Sequence, residues 1–510
     1  MSSAEQPYWW KTSGRDLARM LQQADYPHNT QQRFLTFFKE TICPHLGGPP
    51  DTNSLRSGVG WDGNPFEYSF ELKNTSNAPT VRFVVDVSPL RPADEDNPLG
   101  IANFEAVLDE LGQRTPGFDD TWYRSLRGWF VHVHRPVAEQ KRLVKEVGYQ
   151  MPMILGFDIR RHLPAPDAIP VMAKVYFPPC FTAAAEGITR WEAVRQGILQ
   201  LPNIQSHPNI LRSLDLIQEY LATKPKEYEN GPRYLATDFV DTHKARLKIY
   251  MRHPAESFGD IWDYYTLGGR IEGLGDDKEA FLELMSFTSH DPNCNGTANG
   301  KQPNYTAVQQ KMTAIYFSLS TDNPVPAPKI CFYPANFAAN DEVIGKGVDN
   351  WLQKYGWNQG AKAMTDRVEN VFTHRRLNDK TGIYTFLGLG RKEDHSKKGL
   401  SMQIYVTGEL PLRPGILLPR QPRTLVVFGL GVHPDWENYA SRTVLLIEAR
   451  TTVAREKDVV AILDERGIVH RSTIDAPARM VSNSTGVLSP GVNAGKDTVS
   501  SLSLSQVAQD

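Results

Sequence analysis

No stretch of this sequence offers about 18 consecutive apolar residues, so no transmembrane helix is expected. Between Met1 and Trp10 there is no basic segment running into an apolar one, so no secretory leader is expected. Cysteine is scarce: Cys43, Cys180, Cys294 and Cys331 lie far apart and form no C-x-x-C pair. That spacing argues against a zinc site or a disulfide framework and suits a reducing, cytoplasmic setting. Triplets such as Asn295-Gly296-Thr297 therefore carry no glycosylation argument. An excess of one charge is missing too. With 56 basic and 58 acidic side chains the net charge is −2, so no global positive field exists to hold a nucleic-acid backbone. Gly388-Leu389-Gly390 and Gly429-Leu430-Gly431 lack the third glycine of a dinucleotide site, and no Gly-x-Ser-x-Gly occurs.

Aromatic residues stop at Tyr439. The stretch 471–510, rich in Ser, Val and Gly, reads as a disordered tail. Residues 411–470 carry one apolar run (Thr443 to Ile447) and one helical pattern (Val459 to Leu463), and read as an appendage of uncertain structure. The folded body is expected over residues 1–410. Length alone suggests about three domains, but the pattern within the body suggests one.

Five times the chain shows two short alternating runs. The first pair is Glu67 to Leu72 and Val81 to Val85; the second is Met153 to Asp158 and Ala173 to Phe177. The third is Tyr234 to Val240 and Arg246 to Tyr250; the fourth is Thr313 to Leu319 and Lys329 to Phe332. The fifth is Ile383 to Leu389 and Ser401 to Val406. The second runs recur roughly every 80 residues, too far apart for a solenoid and suited to a supersecondary unit. Helical patterns fill the gaps: Arg15 to Ile42, Phe104 to Leu111, Val137 to Val147, Thr189 to Leu199, Ile210 to Leu221, Ile261 to Leu267, Lys278 to Phe287, Glu342 to Tyr355 and Ala361 to Phe372. Five strand-strand-helix-helix units predict an α+β fold of ten antiparallel strands. Closed into a barrel inside a ring of helices, they leave no edges and a wide lumen.

Period two then sorts the second strands. Arg246, Lys248 and Tyr250 share one face; Lys174 shares one with Tyr176, Lys329 with Cys331, and Gln403 with Tyr405. A solvent-facing set is the plain alternative for any single strand. An exposed Lys-x-Tyr has no reason to recur, so these faces are expected in the lumen. The strands bearing Arg82, Lys174, Arg246, Lys248 and Lys329 carry no partnering acid, so an anionic ligand is the expected counter-charge. Cations with tyrosine hydroxyls clamp diphosphates, and tyrosine faces stabilise a carbocation and exclude water. A diphosphate leaving group inside an aromatic sleeve describes prenyl transfer. Asp119-Asp120 and Asp276-Asp277 have no second acid three residues on and read as helix-start or loop acids, so the cations are expected to replace magnesium. His132-Val133-His134 has no third ligand nearby and reads as structural.

At this point the chain resembles a known family, the fungal aromatic prenyltransferases of the dimethylallyltryptophan synthase type, whose fold is the ABBA barrel. The carriers are Trp61-Asp62-Gly63-Asn64-Pro65-Phe66-Glu67-Tyr68-Ser69, Arg82, Gly156-Phe157-Asp158, Lys174-Val175-Tyr176, Arg246-Leu247-Lys248-Ile249-Tyr250 and Tyr265-Thr266-Leu267-Gly268-Gly269. The segment Tyr8 to Leu21 and Leu46-Gly47-Gly48-Pro49-Pro50 look most like the indole-diterpene branch. The resemblance implies that Glu67 accepts a hydrogen bond from an indole N–H. It implies that Arg82, Lys174, Arg246, Lys248 and Lys329 hold the diphosphate, and that Tyr176, Tyr250, Gln403 and Tyr405 shield the cation and reach phosphate oxygens. Lys174 is also implied as the base that takes the ring proton. Cys331 stands where a shield tyrosine is common, and the extension after Pro411 is a second departure.

The expected activity is transfer of a dimethylallyl group from dimethylallyl diphosphate to an indole carbon of an indole diterpene, with no metal or other cofactor. Tryptophan or a tryptophan-containing cyclic dipeptide is the alternative acceptor, and a non-catalytic carrier of a phosphorylated metabolite the remote one. Glu67 speaks against a carrier, since an anion binder gains nothing from an acid in its lumen. No nucleic-acid or membrane partner is expected, and the protein is expected as a monomer or homodimer.

Overall fold

Alternating apolar and polar residues give each short run one face for helices and one for a lumen. In the computed structural model ten such strands pair antiparallel into a closed barrel. They are β1 (Phe66–Lys73), β2 (Ser76–Val85), β3 (Ile154–Ile159), β4 (Val171–Phe177), β5 (Pro232–Asp238), β6 (Leu247–Arg252), β7 (Ala314–Leu319), β8 (Ala327–Phe332), β9 (Tyr384–Arg391) and β10 (Leu400–Val406). Each strand neighbours the next in sequence, and β1 closes on β10 through pairs such as Ser69 with Tyr405. The structure describes residues 6–46, 57–60, 63–73, 76–87, 98–148, 151–252, 257–289, 314–357, 361–391 and 400–409, with four short strands beyond.

Outward faces meet the helices in an aromatic layer. Phe34, Phe37 and Phe38 pack against Phe66 of β1, Phe83 of β2 and Phe157 of β3. The rings of Phe83 and Phe157 stack at 4.8 Å. Burying each of these rings contributes about 1.5–3 kcal/mol. The helical ring closes where the strands do: Arg19, on helix Arg15–Gln23, donates to the Val371 carbonyl at the end of helix Met364–Val371.

Three local readings change. The pattern from Arg15 to Ile42 is interrupted, because Asp25 takes φ of 55° and Pro27 opens a new helix, His28–Phe37. Helices that escaped the periodicity include Thr121–Phe130 and Cys180–Glu186. Val459–Leu463 is a strand and not a helix. A five-residue apolar run does not distinguish the two by period, and its β-branched residues favour extension. This strand lies in a separate unit, Pro419–Asp510. It pairs with Ile447–Ala449 and Val469–Thr473, and the latter with Ser501–Leu502. The rest of residues 410–510, including most of the expected tail at 471–510, lies outside the described residues.

The barrel register slips at β1 between Glu71 and Lys73 and at two bulges. On β5 the pairs Pro232–Met251 and Tyr234–Tyr250 leave Arg233 as an extra residue. On β9 the pairs Tyr384–Val406 and Phe386–Tyr405 leave Thr385 extra. Phe83→Ala is expected to cost about 3–5 kcal/mol of stability, measured by chemical denaturation, while leaving the lumenal side chains unchanged.

Candidate active site

The inward faces enclose a cavity of about 1090 Å³, a volume that includes its open mouth. Lys174, Tyr176, Lys248, Tyr250, Gln403 and Tyr405 line it, on the faces that alternation expects, and so do Arg82 and Glu67, the latter named by the resemblance. Lys329 and Arg246 stand beside it. Lys329 is buried, and its ammonium is 3.4 Å from Gln403 Oε1. Arg246 precedes β6, its side chain 29% exposed. The Gln403 amide also donates to Ser69 Oγ at 2.9 Å, which fixes its carbonyl toward Lys329.

One expectation is corrected here. The cations do not wait for a ligand to supply all their counter-charge. The strands that bear them carry no acid, but the strands between them do. Arg82 lies 2.8 Å from Glu71 of β1 and 3.2 Å from Asp158 of β3. Lys174 lies 2.6 Å from Asp158, and Arg246 2.7 Å from Asp238 of β5. Arg82 with Asp158 and Lys174 with Asp238 are directly opposed cross-strand positions, where opposite charges attract most. Burial pushes the Asp158 carboxyl up, but Arg82 and Lys174 outweigh it and hold the group well below the ordinary carboxylate range. Burial pulls the Lys174 and Lys329 ammonium groups down, opposed by Asp158 and Glu71 respectively. The five expected cations thus face three carboxylates, Glu71, Asp158 and Asp238. The imbalance suits a multiply charged anion.

Aromatic rings cover the next level. Tyr176 and Tyr250 are 5.5 Å apart, and Tyr250 and Tyr316 4.8 Å. Tyr234 packs edge-on to Tyr176 at 6.3 Å. Lys248 and Lys329 each lie 5.9 Å from the Tyr316 ring. Gly156 makes room: a Cβ there would sit 2.7 Å from the Tyr176 ring. Gly388 does the same for Cys331, whose Sγ would lie 3.1 Å from an added Cβ. Burial pushes the Cys331 thiol up to about 11, so it sits in the wall as a neutral, compact group.

Glu67 forms no ion pair with these five cations among the described residues. It lies four residues before Glu71 on the same face of β1, roughly 13 Å along the strand. Burial pushes its carboxyl up to about 7, against a hydrogen bond from Thr385 and the charge of Arg252.

A family model described as tryptophan dimethylallyltransferase matches residues 5–367. The chain belongs to that family. Prenyltransferase phnF of Penicillium herquei is 53% identical over 409 residues, covering 80% of this chain and 92% of the relative. The DMATS-type prenyltransferase mfmD of Annulohypoxylon moriforme is 53% identical over 414 residues, covering 80% and 93%. Xanthone prenyltransferase B of Emericella nidulans is 27% identical over 410 residues, covering 76% and 84%. The barrel matches the crystal structure of NotF in complex with brevianamide F and DMSPP, with a TM-score of 0.66 at 19% identity, covering 81% of this chain and 97% of that one. It matches AnaPT from Neosartorya fischeri with a TM-score of 0.65 at 18% identity, covering 81% and 97%. The chain is therefore an aromatic prenyltransferase with the ABBA barrel.

Several cavity residues of this prenyltransferase escaped the sequence reading. Tyr316 and Tyr234 sit on first strands of their hairpins, where no Lys-x-Tyr pattern drew attention, although alternation places both on the lumenal face. Asp158 was visible in Gly156-Phe157-Asp158 without its electrostatic role. Arg233 and Thr385 are bulge residues, and alternation misassigns such positions by construction. Arg233 lines the cavity with its Nε buried and unpartnered among the described residues. Burial, with Arg190 and Arg252 nearby, pulls its guanidinium down to about 10. Other expectations concern residues away from the site. Asp119 accepts from Thr121 N–H, and Asp277 pairs with Arg391, both at helix starts. His132 is buried against Thr182, and no cluster of three metal-ligating side chains occurs among the described residues. No helix among them is long and apolar enough to cross a membrane.

Asp158→Asn leaves Arg82 and Lys174 short of counter-charge, and the expected loss is about 3–5 kcal/mol. Pyrophosphate restores the missing negative charge. The expected result in thermal melts is a larger pyrophosphate-induced rise in Tm for Asp158→Asn than for the wild type; an equal or smaller rise would place the diphosphate elsewhere.

Proposed function

We propose that this prenyltransferase moves a dimethylallyl group from dimethylallyl diphosphate to a ring carbon of a hydroxylated fused aromatic acceptor, with cationic side chains and no metal ion holding the diphosphate. The carrying observation is that one tyrosine-walled lumen has surplus cations at one level and Glu67 at another. Arg82, Lys174, Arg246, Lys248 and Lys329 take the diphosphate, exchanging part of their contact with Glu71, Asp158 and Asp238 for phosphate oxygens. The allylic C–O bond breaks, and its electron pair leaves with pyrophosphate. Tyr176, Tyr250 and Tyr405, with Tyr316, face the allylic cation, and Gln403 orients Lys329. A ring carbon of the acceptor supplies the electron pair of the new C–C bond, and that carbon then loses its proton.

Glu67 accepts the acceptor's O–H or N–H, drawing that proton toward itself as positive charge develops on the ring. A carboxylate whose conjugate acid has a pKa near 7 is closer in basicity to a phenolate, near 10, than an ordinary carboxylate is. That match, and the name of the xanthone-acting relative, support a phenolic acceptor. Lys174 serves the clamp first, because its ammonium is bonded to Asp158. It takes the ring proton only in its neutral form, which burial favours and Asp158 opposes.

An indole acceptor is the second reading. The segments resembling the indole-diterpene branch support it, and Arg233 at the cavity wall favours an acceptor carrying a carboxylate, such as tryptophan. Incubation with dimethylallyl diphosphate and a panel of a hydroxyxanthone, an indole diterpene, tryptophan and a cyclic dipeptide, read by mass gain, separates the readings. Prenylation of the phenol alone is expected; turnover confined to the indoles would replace it with the second reading. EDTA is expected to leave the rate unchanged, and a loss that magnesium reverses would sink the metal-free clamp.

Only the ionised Glu67 makes the strong, charge-assisted bond that draws the acceptor's proton away, so kcat/KM is expected to rise with pH through a midpoint near 7. Glu67→Gln removes that acidic limb and lowers the rate by on the order of a hundredfold while the fold persists. Near wild-type turnover by Glu67→Gln would show that the role assigned to Glu67 is wrong.

A further inference from the structure

We infer that Thr385 is a positioning residue for the transfer reaction: a β-bulge turns its hydroxyl onto Glu67 and fixes the orientation of that carboxylate. The inference rests on the Glu67 role proposed above. Thr385 is the unpaired extra residue between Tyr384, which pairs with Val406, and Phe386, which pairs with Tyr405. In an uninterrupted strand it would alternate away from Phe386 and its hydroxyl would meet the helical layer. The bulge breaks that alternation and re-aims the side chain, a recurrent use of bulges beside active sites. Thr385 is 1% exposed, and its Oγ1 donates to Glu67 Oε2 at 3.1 Å. It is the hydrogen-bond donor that reaches Glu67 among the described residues. With one carboxylate oxygen tethered, the other is left for the acceptor.

Packing accounts for a small β-branched residue at this point, but not for a hydroxyl. Val would fill the same volume. The hydroxyl acts by a hydrogen bond to the ionised carboxylate, which favours the charged form. The titratable groups that face Glu67 are Arg252 from β6, Cys331 from β8 and Tyr405 from β10. Its neighbours in register on β2 and β3, Val84 and Gly156, carry no charge, and Lys174 of β4 lies in the same row. None of these contacts changes when Thr385 loses its hydroxyl.

The test compares Thr385→Val with Thr385→Ser in the full chain, by kcat/KM against pH with the acceptor that the panel identifies. Thr385→Val is expected to lower kcat/KM by on the order of tenfold and to move the acidic midpoint upward. Thr385→Ser, which restores the donor, is expected to recover the wild-type midpoint and most of the rate. Added to Glu67→Gln, Thr385→Val is expected to cost little more, because the residue acts through Glu67. A merely structural threonine would lower Tm and yield without moving the midpoint, and that result would overturn the inference. So would wild-type rate and midpoint in Thr385→Val. If Thr385→Val does not fold, Thr385→Cys provides the same comparison through a weaker donor. The two failures are distinguishable: an active Glu67→Gln removes the role of Glu67, whereas an inactive Glu67→Gln beside an unperturbed Thr385→Val removes only that of Thr385.

Discussion

The arrangement depends on the cost of burying several cations side by side in a closed barrel. Arg82, Lys174, Arg246, Lys248 and Lys329 repel one another, and desolvation penalises each. The chain resolves this by alternation between strands. Second strands carry the cations, and first strands carry Glu71, Asp158 and Asp238 at opposed or adjacent positions. Partial neutralisation lets the barrel fold empty. Because it is only partial, the set of cations keeps an attraction for a multiply charged anion.

That compromise also explains the layering of the lumen. A carboxylate meant for an acceptor must not be captured by the clamp, or it becomes a fourth counter-ion. Glu67 avoids this by its distance from Glu71 along β1 and by the uncharged Val84 and Gly156 that stand between it and Lys174 in register. Glu71, on the same strand face, shows the alternative: Arg82 sits 2.8 Å away, and the carboxyl lies below its ordinary range because Arg82 and Lys329 overcome burial. Glu67 has Thr385 and the more remote Arg252, and burial prevails there, lifting its carboxyl to about 7. Two acids of the same strand face thus acquire opposite acidities from what stands opposite them.

The legibility of the sequence follows from the same geometry. A closed barrel enforces period two over ten strands, so the lumenal sets Lys248–Tyr250, Lys174–Tyr176 and Gln403–Tyr405 could be read without a structure. Asp158 was not legible as a partner of Arg82, because cross-strand register joins two residues of different hairpins, whereas Glu71 and Asp238 share a hairpin with the cations they pair with and lie on the strand before them. Short helices such as Cys180–Glu186 have too few turns to show a period. Short apolar runs such as Val459–Leu463 satisfy two periods at once. The acceptor was not legible for a different reason. Phenols and indoles present the same demand to Glu67, a polarised hydrogen on an electron-rich ring, and the wall that distinguishes them is built from scattered residues.

Arg233 of the cavity wall and Thr385, which bonds Glu67, share an origin that bears on how a family with one barrel serves many acceptors. Arg233 and Thr385 are both extra residues at bulges, one on β5 and one on β9. The regular part of the register holds the clamp and the tyrosine sleeve, whose task is the same for any allylic diphosphate. A substitution there disturbs chemistry common to every acceptor. A bulge supplies a side chain to the lumen without taking a position from that regular set, and its loss or gain leaves the opposed cation–carboxylate pairs in place. Here one bulge brings the Arg233 side chain to the cavity and the other brings the Thr385 hydroxyl to Glu67. With the roles proposed for Glu67 and Arg233, acceptor recognition falls at the irregular points of the barrel, where change costs the transfer machinery least.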